Sequence, residues 1–192
     1  MERTILVVVG YIGSGKSEAS GYIKSLGIPM FRTGDVIRKA VLDSGRPLTP
    51  KNSEMMAVRL RQEHGMDYPA RKTGEAIKRC KEGLICVEGP RDVEEVEYLA
   101  TLGRVMLLVI EAPLRLRFER AKARVGSKLE PKTRDTGNFE EFKWRDQAEN
   151  ERGQREITHT DKYPRHVIDN SGTREELHSK IRGIIDKLKA KQ

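Results

Sequence analysis

At 192 residues, with 36% hydrophobic and 34% charged side chains, the chain suits one domain of ordinary size and can bury a sizeable core. No apolar stretch approaches the roughly 20 residues that cross a bilayer, and the N-terminus runs into a core strand without a signal-peptide pattern. The expectation is therefore a cytoplasmic protein with no membrane partner. A formal net charge of +8 favours polyanionic partners, whether nucleotides, coenzymes or nucleic acid, although a solvated face accounts for much of the excess, including Lys187, Lys189 and Lys191.

The first predicted element is an apolar strand over 4–9, and it runs directly into Gly10-Tyr11-Ile12-Gly13-Ser14-Gly15-Lys16-Ser17. This run fits the phosphate-binding pattern G-x-x-x-x-G-K-[ST], with strand, loop and helix in the required order. Glycines at 10, 13 and 15 let successive N–H groups curl around an anionic β-phosphate at a helix start. Lys16 adds a mobile positive charge, and Ser17 can place its hydroxyl on a Mg²⁺ ion bridging the phosphates of ATP.

A second strand is expected over 29–32, followed by Thr33-Gly34-Asp35-Val36-Ile37-Arg38. A guanidinium one helical turn beyond a loop is well placed to grip a phosphate in bidentate geometry. The stretch 34–82 has room for several helices, divided by the turn Gly45-Arg46-Pro47-Leu48-Thr49-Pro50. The third strand, 84–88, ends in a carboxylate, a tight turn and an arginine: Leu84-Ile85-Cys86-Val87-Glu88-Gly89-Pro90-Arg91. The only two cysteines, Cys80 and Cys86, have no partner pair at zinc-ligand spacing and read as reduced structural thiols.

The fourth strand, 104–110, has no polar face and suits the sheet interior; Glu111 beyond it is a second strand-end carboxylate that rivals Glu88. Arg117, Arg120 and Arg124 lie on the following helix, where Arg120 and Arg124 share a face. A polar stretch over 125–155, carrying Gly126, Pro131 and Gly137, reads as a lid at 125–145 with a following helix, and contains Arg134 and Arg145. A fifth strand at 166–170 leads through Asp169-Asn170-Ser171-Gly172 into the last helix. Thr173 and Glu176 can form its capping box, and Leu177, Ile181, Ile184, Ile185 and Leu188 form one apolar stripe. Strands alternating with helical segments imply an α/β fold, a parallel sheet covered on both faces.

Several of these motifs resemble those of known kinases. Thr33-Gly34-Asp35-Val36-Ile37-Arg38 is similar to the T-G-D-hydrophobic-hydrophobic-R segment of adenylate kinases, where Thr and Gly face the acceptor nucleotide and Arg pairs with its phosphate. Leu84–Arg91 resembles the strand-Asp-Gly-x-Pro-Arg stretch of nucleoside monophosphate kinases, whose acid holds Mg²⁺ through water and whose Arg grips the acceptor phosphate. Here the acid is Glu88 and the stretch is one residue shorter. Arg120 and Arg124 resemble the arginine pair before the adenylate kinase lid, and Arg145 a lid-side arginine. Asn170 and Gly172 resemble the Asn-x-Gly loop that passes beside adenine in dephospho-coenzyme A kinases. There is no four-cysteine zinc lid.

In order along the chain, these motifs resemble an archaeal family of P-loop kinases related to adenylate kinase and dephospho-coenzyme A kinase. The resemblance implies one P-loop kinase domain, residues 1–192, with five parallel strands ordered 2-3-1-4-5, an acceptor-binding helical insert at 34–82 and the lid. It further implies transfer of the γ-phosphoryl group of ATP, with Mg²⁺, to a nucleotide-like acceptor. Lys16 and the loop amides would hold the phosphates, Ser17 and Glu88 the metal, and Thr33, Gly34, Asp35, Arg38 and Arg91 the acceptor. Arg120, Arg124 and Arg145 would close over the transferred group.

A hydroxyl acceptor, as in dephospho-coenzyme A, would need a general base, for which Asp35 is available. Glu95 stands where adenylate kinases carry a Gln that reads adenine. A carboxylate only accepts hydrogen bonds, so guanine, cytosine or a non-nucleobase acceptor would suit it better than adenine. The plain alternative for Glu95 is an exposed helix residue. A P-loop ATPase or GTPase switch with a nucleic-acid partner is the competing class. The absence of an N-K-x-D run and of an aromatic stacking platform disfavours it.

Overall fold

The computed structural model describes residues 3–124, 138–149 and 153–190. Its frame is a five-stranded parallel sheet of β1 (Thr4–Val9), β2 (Met30–Arg32), β3 (Leu84–Glu88), β4 (Arg104–Glu111) and β5 (Arg165–Asp169). The strand order is β2-β3-β1-β4-β5, as the resemblance implies. β1 lies at the centre with Leu6 opposite Cys86 on one side and Met106 on the other. That position explains its uninterrupted apolar run, because a strand paired on both edges and covered on both faces meets no water.

Alternation along the strands sorts side chains into two cores. Leu6, Val8, Cys86, Leu108 and Ile110 face α1 (Lys16–Ser25) and the last helix. Ile5, Val7, Val9, Ile85, Val87 and Leu107 face the opposite layer. Three helices occupy the chain between β2 and β3: α2 (Thr33–Asp43), α3 (Pro50–His64) and α4 (Tyr68–Arg79). The Thr33–Arg38 motif is thus the opening of a helix. α3 starts where expected from the turn at 45–50, with Thr49 Oγ1 accepting from Asn52 N at 3.2 Å and Pro50 in the first turn. α5 (Val93–Ala100) follows β3, and α6 (Leu114–Arg124) follows β4.

The predicted lid falls mostly outside the described residues, which resume at Asn138; Gly126, Pro131, Arg134 and Gly137 are among those not described. The helix expected after it is present as α7 (Phe139–Glu149), and α8 (Arg155–His159) leads to β5. β5 ends one residue earlier than expected, so Asn170 stands beyond the ladder, with its N–H still donating to the Glu111 carbonyl at 2.8 Å.

The last helix, α9 (Arg174–Lys189), carries the predicted capping box, with Thr173 and Glu176 exchanging backbone bonds. Leu177, Ile181, Ile185 and Leu188 are buried and Ile184 is partly buried against the same core. A Tyr22–His178 ring stack at 3.9 Å and a His178 Nε2–Glu18 contact at 2.8 Å fasten α9 to α1. Among the described residues, no helix is long and apolar enough to cross a membrane.

The two thiols differ in access. Cys86 is wholly buried in β3, and burial pushes its thiol far up from the ordinary value. Cys80 caps α4, half-buried, with its thiol raised by burial and by its contact to Glu82 at 2.9 Å. Since the thiolate is the reactive form, raised values slow both. We expect a thiol reagent at pH 8 to titrate one cysteine slowly in the native protein and the second only after denaturation. Cys80→Ser should abolish the native reaction, and rapid labelling of both would contradict the burial of β3.

Candidate active site

A buried strand that turns into a helix within six residues must leave the extended conformation abruptly, and the glycines permit it. Gly13 (φ +74°) and Gly15 (φ +105°) occupy left-handed space. Neither position has room for a methyl group: a Cβ at Gly13 would collide with the Arg117 carbonyl, and one at Gly15 with the Asn170 amide. Gly15 precedes α1 directly, so the helix begins at Lys16 and its first N–H groups open onto the loop.

Loop amides that face an anion leave their carbonyls pointing into the protein, where each requires a donor. The structure supplies them. Lys16 Nζ donates to the Gly10 and Tyr11 carbonyls at 2.6 and 2.7 Å. Arg117 Nη1 donates to the Ile12 carbonyl at 3.1 Å, and Asn170 Nδ2 to the Ser14 carbonyl at 2.8 Å.

Arg117 lies on α6, outside the motifs that resemble known kinases. It is 5% exposed and forms a two-pronged pair with Asp146 of α7 at 2.5 and 2.8 Å, while its Nε donates to the Ala112 carbonyl at 3.0 Å. Its guanidinium also lies over the Tyr11 ring, 5.1 Å from the centroid. This arginine is a strut between loop, α6 and α7. Asn170 is likewise a loop support through its side chain, which leaves the base-side contact expected of the Asn170–Gly172 turn to the backbone. The glycine at 172 is required by the capping box, since a Cβ there would strike the Glu176 carboxylate.

Glu88 stands across from the loop. Its Oε1 accepts from Ser17 Oγ at 3.1 Å, and its Oε2 accepts from Ser20 Oγ at 2.7 Å and Arg32 Nε at 3.0 Å. Parallel pairing explains the placement, because Glu88 ends β3 in register with Arg32 of β2 and Val8 of β1, at the carboxyl edge where the loop begins. Ser17 and Glu88 offer adjacent hard oxygens that fit Mg²⁺. Among the described residues, no three His, Cys, Asp or Glu side chains form a metal cage, so a cation here would draw its remaining ligands from phosphate and water. Glu111 ends β4 opposite Asp169 of β5.

Of the residues expected to hold an acceptor, Thr33 is buried at the start of α2, next to Gly89. Arg38 is paired with Asp35 at 2.5 Å, both substantially exposed. Arg91 is exposed just beyond Gly89. Arg120 is half-buried, and its Nη1 is a buried donor with no hydrogen-bond partner among the described residues. Arg145 is paired with Glu141 on α7, and Arg124 closes α6.

Glu95 is not an exposed helix residue. It is fully buried, because its position on α5 shares the inward face with Val96 and Leu99. Its Oε1 accepts from Arg61 Nη2 at 2.9 Å and from the Arg91 backbone N–H at 3.1 Å, while Oε2 has no hydrogen-bond partner. Arg61 of α3 also lies 2.8 Å from Asp92, an ion contact without hydrogen-bond alignment. One guanidinium thus serves two carboxylates, and desolvation raises the pKa of both Glu95 and Asp92 above the ordinary carboxylate values despite it.

A raised folded-state pKa means that the stabilisation is complete at acid pH and is lost as pH rises through that pKa. Glu95→Gln should therefore be neutral or stabilising by up to about 1 kcal/mol near pH 7. Arg61→Met leaves two buried carboxylates without their cation and should cost about 3–5 kcal/mol, with a smaller loss at acid pH where they protonate. Denaturant melts from pH 4 to pH 8 check both; an Arg61→Met variant as stable as wild type at pH 7 would rule out the shared-cation account.

Comparisons with known proteins agree with this architecture. Residues 9–143 match a family model described as an AAA domain. A UPF0200 protein of Staphylothermus marinus is 34% identical over 188 residues, which span 98% of this chain and 94% of the relative. A UPF0200 protein of Hyperthermus butylicus is 36% identical over 147 residues, 77% of this chain and 76% of the relative. A UPF0200/UPF0201 protein of Archaeoglobus fulgidus is 35% identical over 192 residues, 98% of this chain but 57% of that longer protein. Among solved structures, TT1252 from Thermus thermophilus superposes with a TM-score of 0.62 at 21% identity, covering 98% of this chain and 99% of its own. Shikimate kinase from Acinetobacter baumannii, in complex with shikimate, gives a TM-score of 0.55 at 18% identity, covering 98% and 96%. These likenesses identify a P-loop kinase fold.

Proposed function

The chain belongs to the AAA-domain family and to the archaeal UPF0200 proteins, and from that premise we propose that it is an ATP- and Mg²⁺-dependent phosphotransferase acting on a small, nucleotide-like acceptor. The observation that carries this reading is the Ser17–Glu88 hydrogen bond, which sets a strand-end carboxylate against the phosphate loop. An anionic acceptor suits the two arginines beyond β2 and β3.

In this reading Lys16 leaves the Gly10 and Tyr11 carbonyls for the β- and γ-phosphates, while the loop stays supported by Arg117 and Asn170. Mg²⁺, when bound, neutralises phosphate charge beside Ser17 and Glu88. Arg38 and Arg91 hold the acceptor, with Thr33, Gly34 and Asp35 lining its approach. Arg120 offers its buried donor to the transferred group, and Arg124 and Arg145 add charge from the lid side; phosphoryl transfer depends chiefly on such positioning and neutralisation. A phosphate acceptor needs no general base. A hydroxyl acceptor would use Asp35, and a fold neighbour that holds shikimate, a molecule with no nucleobase, keeps that acceptor class in view.

Glu95 would read a donor-bearing base edge only once Arg61 yields, since its inner oxygen is enclosed in the present arrangement. A phosphoryl-transfer screen with ATP and Mg²⁺ against nucleoside monophosphates and dephospho-coenzyme A, with acceptor-free hydrolysis as the control, tests the reading. Lys16→Ala should lower turnover roughly 100-fold or more with unchanged melting. Turnover within about threefold of wild type would remove Lys16 from the phosphate site.

Arg38→Ala and Arg91→Ala should raise the acceptor Michaelis constant about tenfold or more and leave ATP affinity within about twofold. Loss of ATP affinity with an unchanged acceptor constant would reverse the assignment of the two sites.

A further inference from the structure

The sequence patterns gave Arg32 no role, yet its side chain lies on the proposed metal-side acid. We propose that Arg32 is a built-in counter-cation for Glu88, which a divalent ion must displace, so that Arg32 sets the divalent-cation affinity of the nucleotide site. The inference rests on the phosphotransferase reading above and concerns how that site is regulated.

Three donors surround the Glu88 carboxylate, and only one carries charge. Ser17 Oγ, at 3.1 Å on Oε1, can keep donating its proton to Glu88 while a lone pair turns to a cation. Ser20 Oγ, at 2.7 Å on Oε2, comes from a wholly buried residue one turn further along α1 and fixes the plane of the carboxylate. Arg32 Nε, at 3.0 Å on the same Oε2, is the third. Its positive charge cancels that of Glu88 and would repel a divalent ion at the adjoining position.

The carboxylate is only 12% exposed, which limits solvent screening of that repulsion. Arg32 itself is 37% exposed and ends β2 immediately before α2, so its guanidinium can leave Glu88 without disturbing either core. The adjacent residues Thr33 and Gly34 abut Gly89 in the acceptor-side loop. A guanidinium released from Glu88 therefore remains beside the acceptor phosphate, where its charge is useful. Arrival of the cation and of acceptor charge would be linked through one side chain.

Mn²⁺ serves as the probe, with its free concentration read by electron paramagnetic resonance in the presence of saturating ATP and no acceptor. Arg32→Gln should tighten Mn²⁺ about fivefold or more, and Arg32→Lys should stay within about twofold of wild type because the charge is kept. Ser20→Ala removes a neutral donor to the same oxygen and should weaken Mn²⁺ or leave it unchanged. If Arg32 only oriented Glu88, Arg32→Gln would follow Ser20→Ala instead. Unchanged or weakened Mn²⁺ affinity in a folded Arg32→Gln protein overturns the proposal alone. A wild-type protein that binds no Mn²⁺ with ATP overturns the phosphotransferase reading and the proposal together.

Discussion

The phosphate loop depends on where its carbonyls go. A loop that turns its amides toward an anion must turn its carbonyls inward, and a buried carbonyl without a donor is costly. Arg117 and Asn170 take the Ile12 and Ser14 carbonyls from elements more than 100 residues away in sequence. The loop is thus held in shape by α6, through Arg117, and by the β5–α9 connection, through Asn170. Such preorganisation matters because donors already aimed at the ligand need no rearrangement when it binds. Lys16 is the exception: it bridges two carbonyls now and must surrender both to reach a phosphate.

The same exchange of partners recurs across the cleft. Arg38 is paired with Asp35, Arg145 with Glu141 and Arg32 with Glu88. The first two are exposed or half-exposed pairs of small intrinsic worth, whereas the third sets a partly exposed guanidinium on a largely buried carboxylate. An anion that reached Arg38 or Arg145 would compete with those exposed pairs at modest cost. Arg117–Asp146 and Arg61–Glu95 are different, because both are buried and tie separate elements together. These arginines therefore divide into those with an exposed side chain, free to change partner, and those locked in buried pairs.

The strands were legible because interior parallel strands show their burial in composition, and the phosphate loop because its pattern reflects local backbone geometry. The struts were not. Arg117 looks in sequence like Arg120 and Arg124, and only the packing of α7 against α6 distinguishes the one that meets Asp146. Asn170 read as a base-side residue because its role as a loop support depends on β5 lying two strands from β1. Arg32 was hidden by its position between two recognisable motifs, and its partner emerges only from the β2–β3 register. Glu95 could have been placed from sequence. Asp92, Glu95, Val96 and Leu99 recur at helical spacing, so two acids share the stripe with apolar residues, which signals a buried cation nearby.

The segment returning from α7 joins the two halves of the cleft. Gly153 (φ +103°) packs so closely on the β3–α5 loop that a Cβ there would lie 3.0 Å from the Arg91 carbonyl. Five residues later, the buried Thr158 places its hydroxyl 3.4 Å from that of Tyr11 in the phosphate loop. Asp146, on α7 itself, is locked to Arg117, which holds that loop. A displacement of α7 must therefore either break a buried two-pronged ion pair or carry α6 and its arginines along. The first course leaves buried charge uncompensated, and the second withdraws Arg117 from the Ile12 carbonyl. α6, α7 and the phosphate loop are thus tied together through Arg117, and Gly153 carries the contact on to the Arg91 carbonyl.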